Sequence, residues 1–137
     1  MDRYVLISSQ KFPILPGERG ELVNEGTYGK ALAQYLQAKL KEHAYDVPFV
    51  CCEDWGWWVE VRAPFTCGVL VHSEPQGAGP VRFVCAFDPL GGRKWSWSKF
   101  RFVDASAWMG KVYEDVVEVF RADKDVQIVG VYDEFPL

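Results

Sequence analysis

The sequence is poor in the residue patterns from which catalytic and metal sites are usually built. It contains only two histidines, His43 and His72, and four cysteines, none of them in the CxxC spacing of a zinc or redox site. Its glycine-containing segments match neither a dinucleotide-binding fingerprint nor a phosphate-binding loop. The sequence therefore predicts no metal and no cofactor, and we expect a binding protein rather than an enzyme.

An excess of positive charge and a long apolar run are also missing. Lysine and arginine total 15 against 19 aspartates and glutamates, a net charge of -4 that argues against a nucleic-acid partner. No apolar run is long enough to span a bilayer, and the short apolar stretch in residues 1–7 is not a signal-peptide core. We therefore expect a cytoplasmic protein with no membrane partner, whose cysteines are reduced and packed as small hydrophobic residues.

What the sequence does contain is the composition of an ordinary globular domain. Apolar residues make up 49% of the 137 positions and charged residues 25%. A chain of this length buries roughly two-thirds of the surface it exposes when unfolded, which is enough for one hydrophobic core. Residues 1–137 are therefore predicted to form a single domain.

Hydrophobic periodicity predicts an α+β fold. Apolar residues recur at helical spacing after Thr27 and again after Asp104, and both residues are plausible helix N-caps. Alternating or continuous apolar runs predict strands, and the short connections between the middle ones imply antiparallel neighbours. We expect the order β-α-β-β-β-β-β-α-β, with an antiparallel or mixed sheet of about six or seven strands, two helices packed on one face, and a long loop at 10–26. The predicted strands are residues 4–8, 49–53, 57–62, 65–72, 81–88, 94–102 and 126–132.

Alternation within the strands predicts what each sheet face carries, because successive side chains point to opposite sides. In strand 57–62 the charged residues Glu60 and Arg62 mark the outer face, so Trp58 should lie with them while Trp57 faces the helices. In strand 94–102 the same reasoning sets Trp95 and Trp97 beside Lys99 and Arg101. Strands 65–72 and 81–88 would direct their odd-numbered residues to the core and leave Gly68, Leu70, Val84 and Ala86 outside.

The helix-free face is therefore a candidate recognition surface. It would carry three tryptophans bordered by cations, and tryptophan and arginine are enriched among binding hot spots. An apolar patch left in water is also unusual enough to suggest a partner. The alternative is that these side chains stabilise an exposed sheet through aromatic and cation-π pairs, or are covered by the long loop or by a homodimer. The predicted surface residues are Trp58, Arg62, Trp95, Trp97, Lys99 and Arg101.

The segment from Cys51 to Trp58 has two interpretations. Glu53 and Asp54 beside aromatic residues could act as a general acid and base, or one of the cysteines could pair with His43 or His72 as a nucleophile. Adjacent residues on an extended chain diverge, however, and Gly56 favours a hairpin turn. We therefore predict a fixed acidic turn at Glu53 and Asp54 that pairs with basic residues of a partner, and no catalytic residue.

Three segments carry a resemblance. Residues 26–33 (GTYGKALA), 53–57 (EDWGW) and 120–123 (FRAD) make the chain look like a group of small uncharacterised bacterial α+β proteins. In general character it is also similar to immunity proteins that neutralise toxins and to phage inhibitors of host defence. The likeness to the uncharacterised group implies no activity. From the candidate recognition surface and the acidic turn, and by analogy with immunity proteins, we expect a protein-binding domain of the stoichiometric-inhibitor kind. The alternatives are a small enzyme or ligand-binding domain with a pocket between the 10–26 loop and the aromatic strands, and a structural homo-oligomer.

Overall fold

The fold is an antiparallel sheet with two helices. The computed structural model describes the backbone of residues 4–24, 26–54, 56–62, 67–75, 79–88 and 99–137, and the side chains of all of these except 88 and 99–107. The described strands form one sheet in the order β2-β3-β4-β5-β1-β6, in which every neighbouring pair is antiparallel. This is the α+β class expected from the sequence. The elements are β1 (Tyr4–Ser9), α1 (Lys30–Glu42), β2 (Val50–Glu53), β3 (Gly56–Val61), β4 (Cys67–Ser73), β5 (Val81–Asp88), α2 (Lys99–Ala122) and β6 (Val126–Tyr132).

The main hydrophobic core lies between the helices and one face of the sheet. Helix α1 buries Leu32, Leu36 and Leu40, which recur every four residues and so line one side of the helix. The odd-numbered residues of β3, β4 and β5 are buried against the helices, as the alternation predicted. The odd-numbered residues of these strands that belong to the main core are Trp57, Val59, Val61, Cys67, Val69, Val71, Val81, Phe83, Cys85 and Phe87.

The opposite face of the sheet, which we call the helix-free face, is ordered in cross-strand rows. Because all the strands are antiparallel, residues that pair across them lie side by side on the same face. The two central rows determine the geometry of the candidate site. One row runs Cys51, Trp58, Leu70, Ala86, Tyr4 and Tyr132, and the other runs His72, Val84, Leu6 and Gly130. Gly56, which pairs with Glu53, lies against the backbone of Val71 and His72.

The predicted strand 94–102 is wrong at its second half, because α2 begins at Lys99. Asp104, predicted to cap this helix, lies inside it. The reason can be read from the sequence: Phe102, Ala105 and Met109 stand three and four residues apart, which continues the helical spacing of Val112. Residues 94–98 lie outside the described part of the chain. No helix in the described ranges has the length and apolar content needed to cross a membrane.

Helix α1 begins at Lys30, so Thr27 is not its N-cap. The Thr27 hydroxyl instead donates to the carbonyl of Asn24 at 2.6 Å. The helix start is capped by a distant carboxylate: Glu18 Oε2 accepts the backbone N–H groups of Gly29 at 2.9 Å and Lys30 at 3.1 Å, and its Oε1 accepts that of Leu15 at 3.0 Å. Glu18, which begins a short 3-10 helix at Glu18–Glu21, is fully buried and fastens the 10–26 loop to α1.

Candidate functional site

The candidate site is built on the hairpin of β2 and β3 at one edge of the sheet. Cys51 pairs with Trp58 and Glu53 with Gly56, and Asp54 lies in the turn between the strands. The chain before β2 continues the pairing, since Glu60 N donates to Phe49 O at 3.2 Å. We call the outward-facing residues of this hairpin the hairpin site. They are Phe49, Glu53, Asp54, Trp58, Glu60 and Arg62.

Trp58 lies close against the backbone of the neighbouring strand. Its indole occupies the space that a side chain at Gly68 would need, and Gly68 is the residue opposite Glu60 on β4. The indole Nε1 donates to Glu60 Oε1 at 2.9 Å. A hydrogen bond to a carboxylate is stronger than one between neutral groups. The glycine and the carboxylate together therefore fix the orientation of a half-buried tryptophan on the helix-free face.

Glu60 also holds Arg62, through its other oxygen. Arg62 Nε donates to Glu60 Oε2 at 2.9 Å, and the Nη2 of the same guanidinium lies 2.9 Å from that oxygen. Glu60 is 8% exposed, whereas the Arg62 side chain is 49% exposed. The guanidinium carbon lies 5.7 Å from the centre of the Phe49 ring, which is within the range of a cation-π contact. Glu60 thus sets the positions of an indole and a guanidinium that both remain accessible.

The acidic turn is fixed from the other side of the sheet by the loop that follows Glu18. Asn24 Nδ2 donates to the backbone carbonyl of Asp54, and the N–H of Val23 donates to Cys52 Sγ at 3.4 Å. Trp57 Nε1 donates to Thr27 O at 3.1 Å. The described residues of the 10–26 loop therefore hold the turn through its backbone, and the side chains of Glu53 and Asp54 are exposed.

The arrangement is unlike a nucleophile or an acid-base pair. Burial and then the negative charge of Glu53 raise the pKa of Cys51 to about 11, so its thiol stays protonated near neutral pH and is a weak nucleophile. His72 lies on β4, next to Gly56 of β3, and Gly56 pairs with Glu53 on its other side. Neither of the two cavities identified in the described residues is lined by Cys51, Glu53, Asp54 or His72, so this part of the chain does not bring these groups together in the way an enzyme would need. Among the described residues, no three potential ligands are grouped to hold a metal ion.

The centre of the helix-free face is covered. Leu6, Leu70 and Val84 lie on this face, as the alternation predicted for the latter two, but they are 3%, 8% and 0% exposed. Part of the cover is Phe135 in the C-terminal tail, residues 133–137. Its ring is in edge-to-face contact with Tyr4 at 5.9 Å and with His72 at 5.3 Å between ring centroids. We call the strip floored by Leu6, Leu70, Val84 and Ala86 the central groove.

The predicted surface residues fall into three groups. Trp58 and Arg62 are brought together on the helix-free face, and Glu53 and Asp54 stand at the turn of the same hairpin. Trp95 and Trp97 lie outside the described residues. Lys99 and Arg101 belong to α2, so the prediction that they lie on a strand is wrong.

The role of Glu60 was not recognised from the sequence, although the alternation of Trp58, Glu60 and Arg62 placed it between its two partners. The part played by Phe135 had no sequence signal, because a single aromatic residue in a short tail has no periodicity. The centre of the helix-free face is covered, in part by the tail, whereas the hairpin site at the edge of the sheet remains accessible. No family model, no curated protein and no solved structure matches this chain significantly, so its function has to be inferred from the geometry of the site.

Proposed function

We propose that the chain is a protein-binding domain of the stoichiometric-inhibitor kind, as immunity proteins and anti-defence proteins are, and that it docks through the hairpin site. The observation that carries the proposal is that one carboxylate, Glu60, holds both Trp58 and Arg62 in accessible positions. Tryptophan and arginine are the side chains most enriched at binding hot spots. Fixing them before binding lowers the entropy cost of association.

The charges of the hairpin site indicate the chemistry of the partner. Glu53 and Asp54 are exposed at the turn, where a partner's lysine or arginine could pair with them. Arg62 retains N–H groups that can donate to a carboxylate. The net charge of -4 would speed association with a basic surface. We therefore expect a partner with a basic patch that meets the turn and an apolar or acidic group that meets Trp58 and Arg62.

The experiment is photo-cross-linking from a bacterial lysate. A photoreactive phenylalanine analogue replaces Phe49, which is exposed beside Arg62, or Gln34, which is exposed on α1. A single partner should cross-link in a one-to-one ratio from position 49 and not from position 34. A basic partner should also be released as the salt concentration rises, because exposed charge pairs are screened.

Charge-reversed variants then test the site itself. Arg62→Glu should abolish capture, whereas Lys41→Glu, the same change of charge on exposed α1, should leave it intact. Both variants should keep the thermal unfolding midpoint of the unchanged chain, which shows that they are folded. Capture that survives Arg62→Glu at wild-type strength would show that the hairpin site is not the docking surface.

Self-association is the second candidate function, favoured by the free edge of β6. No described strand pairs with its outer side, and Val129, Val131 and Tyr132 are exposed along it. An uncharged edge strand can pair with another chain. The shift of register at Val129, where β6 bulges relative to β1, interrupts such pairing and makes this candidate the weaker one. Light scattering during dilution should show a monomer if the first proposal holds.

A further inference from the structure

The C-terminal tail crosses the helix-free face. Phe135 contacts His72 on β4 and Tyr4 on β1, and β5 is the strand between these two. A ring that touches both neighbours must cross β5. On this face β5 presents Val84, which lies in the row of His72, and Ala86, which lies in the row of Tyr4. The tail therefore places one aromatic side chain over the apolar floor of the central groove.

This contact holds the tail without enclosing it. Phe135 remains 39% exposed and Leu137 41% exposed, although the floor residue Val84 is fully buried. Both ring contacts are edge-to-face, a geometry that other aromatic or large apolar side chains can reproduce. Asp133 and Glu134, which precede Phe135, are exposed. The segment that places Phe135 on this face thus carries two acidic residues before the aromatic ring and one proline after it.

The central groove is continuous with the hairpin site. Trp58 stands in the same cross-strand row as Leu70, Ala86 and Tyr4, so the indole borders the groove on one side and Tyr4 on the other. Ala86 is only half-buried between them. A polypeptide segment that replaced the tail would therefore lie beside Trp58. Among the described residues near the groove, His72 and Arg82 are basic, and Arg82 is paired with Glu74.

We propose that the central groove is a binding site for an extended protein segment of acidic-aromatic chemistry, and that the chain's own tail is its intramolecular occupant. The partner's aromatic residue takes the place of Phe135 between Tyr4 and His72, and its acidic residues take the place of Asp133 and Glu134. The tail then regulates docking, because Phe135 and the partner's aromatic residue compete for the same place between Tyr4 and His72. This inference rests on the proposed function, since it extends the docking surface from the hairpin site.

The experiment supplies the tail in trans. The probe is a fluorescein-labelled peptide with the sequence of residues 133–137, and its anisotropy is measured against a variant that ends at Tyr132 and against the intact chain. The truncated variant should bind the peptide at least about tenfold more tightly, because a tethered tail competes at an effective concentration in the millimolar range. A peptide with alanine at the phenylalanine position and a scrambled peptide should both fail to bind.

Three further variants protect the test against misfolding and locate the binding site. Thermal unfolding shows whether the truncated chain folds, and the full-length variant Phe135→Ala replaces it if it does not. In either background His72→Ala should weaken peptide binding, whereas Gln34→Ala on α1 should not. Equal binding to the open and intact chains, no binding to either, or no effect of His72→Ala would overturn the proposal.

The remaining outcomes are also decisive. If the intact chain is a dimer by light scattering, with the tail of each copy in the groove of the other, the occupant is a second copy and intramolecular regulation is refuted. If the peptide does not bind but capture of the partner still depends on Arg62, the groove proposal is refuted and the hairpin-site proposal stands. If the peptide binds but capture of the partner is unchanged by Arg62→Glu, the hairpin site is not the docking surface.

Discussion

Replacing Gly68 with alanine should lift Trp58 off the sheet. The added methyl group would overlap the six-membered ring of the indole, and the ring is the part that can move. Moving it breaks the hydrogen bond to Glu60, and hydrogen bonds to charged groups contribute about 1.5–3 kcal/mol. Alanine in a strand recovers about 0.5–1 kcal/mol relative to glycine. We therefore expect Gly68→Ala to lower the free energy of unfolding by about 1–2 kcal/mol.

A double-mutant cycle identifies the cause of that loss. The free energy of unfolding is measured by urea titration with far-UV circular dichroism, so that removing a tryptophan does not remove the signal. In a Trp58→Ala background the methyl group meets no ring, and Gly68→Ala should then stabilise the protein by about 0.5–1 kcal/mol. The same destabilisation in both backgrounds would refute the contact between Trp58 and Gly68 as its source.

Two more predictions concern groups that fasten the elements together. Removing the Glu18 carboxylate by substitution with alanine leaves three backbone N–H groups without their acceptor, so the free energy of unfolding should fall by about 2–4 kcal/mol in urea titration; Glu18→Gln keeps one acceptor oxygen and should lose less. Asp123 accepts bonds from Lys11 at 2.6 Å and Tyr35 at 2.7 Å, and the Lys11 bond is the main cause that lowers its pKa from 3.8 to about 2. Because this pKa is lower in the folded state, the stabilisation is complete above pH 3.8 and is lost as the pH falls towards 2, by at most about 2 kcal/mol. In Asp123→Asn the free energy of unfolding should depend less on pH across that range. An unchanged dependence on pH would show that the Asp123 carboxylate contributes nothing to it.

Strand parity was the part of the structure that the sequence predicted best. The alternation in β3 set Trp57, Val59 and Val61 against the helices, and all three belong to the main core. It also placed Trp58 and Arg62 on the other face with Glu60. This succeeds because a central antiparallel strand with one packed face leaves only one register that buries its apolar residues.

Long-range capping and tail packing could not be predicted in the same way. Glu18 caps a helix that begins at Lys30, and a sequence pattern for capping extends only across neighbouring residues. The start of α2 failed for a related reason: Lys99 and Arg101 alternate with aromatic residues, so a short window fits a strand as well as a helix. Length decides between the two, and α2 continues without a break to Ala122.

The bond between Glu60 and Arg62 is better explained by placement than by stability. Its arginine is 49% exposed, and exposed ion pairs contribute only about 0–1 kcal/mol, while burying the carboxylate carries a desolvation cost. A sheet surface that needed only stability could use uncharged cross-strand pairs at this position. The same carboxylate also orients Trp58, whose indole would otherwise sample several rotamers. The arrangement contributes little to the stability of the fold, but it holds Trp58 and Arg62 in one geometry. The proposed docking surface requires such a fixed geometry.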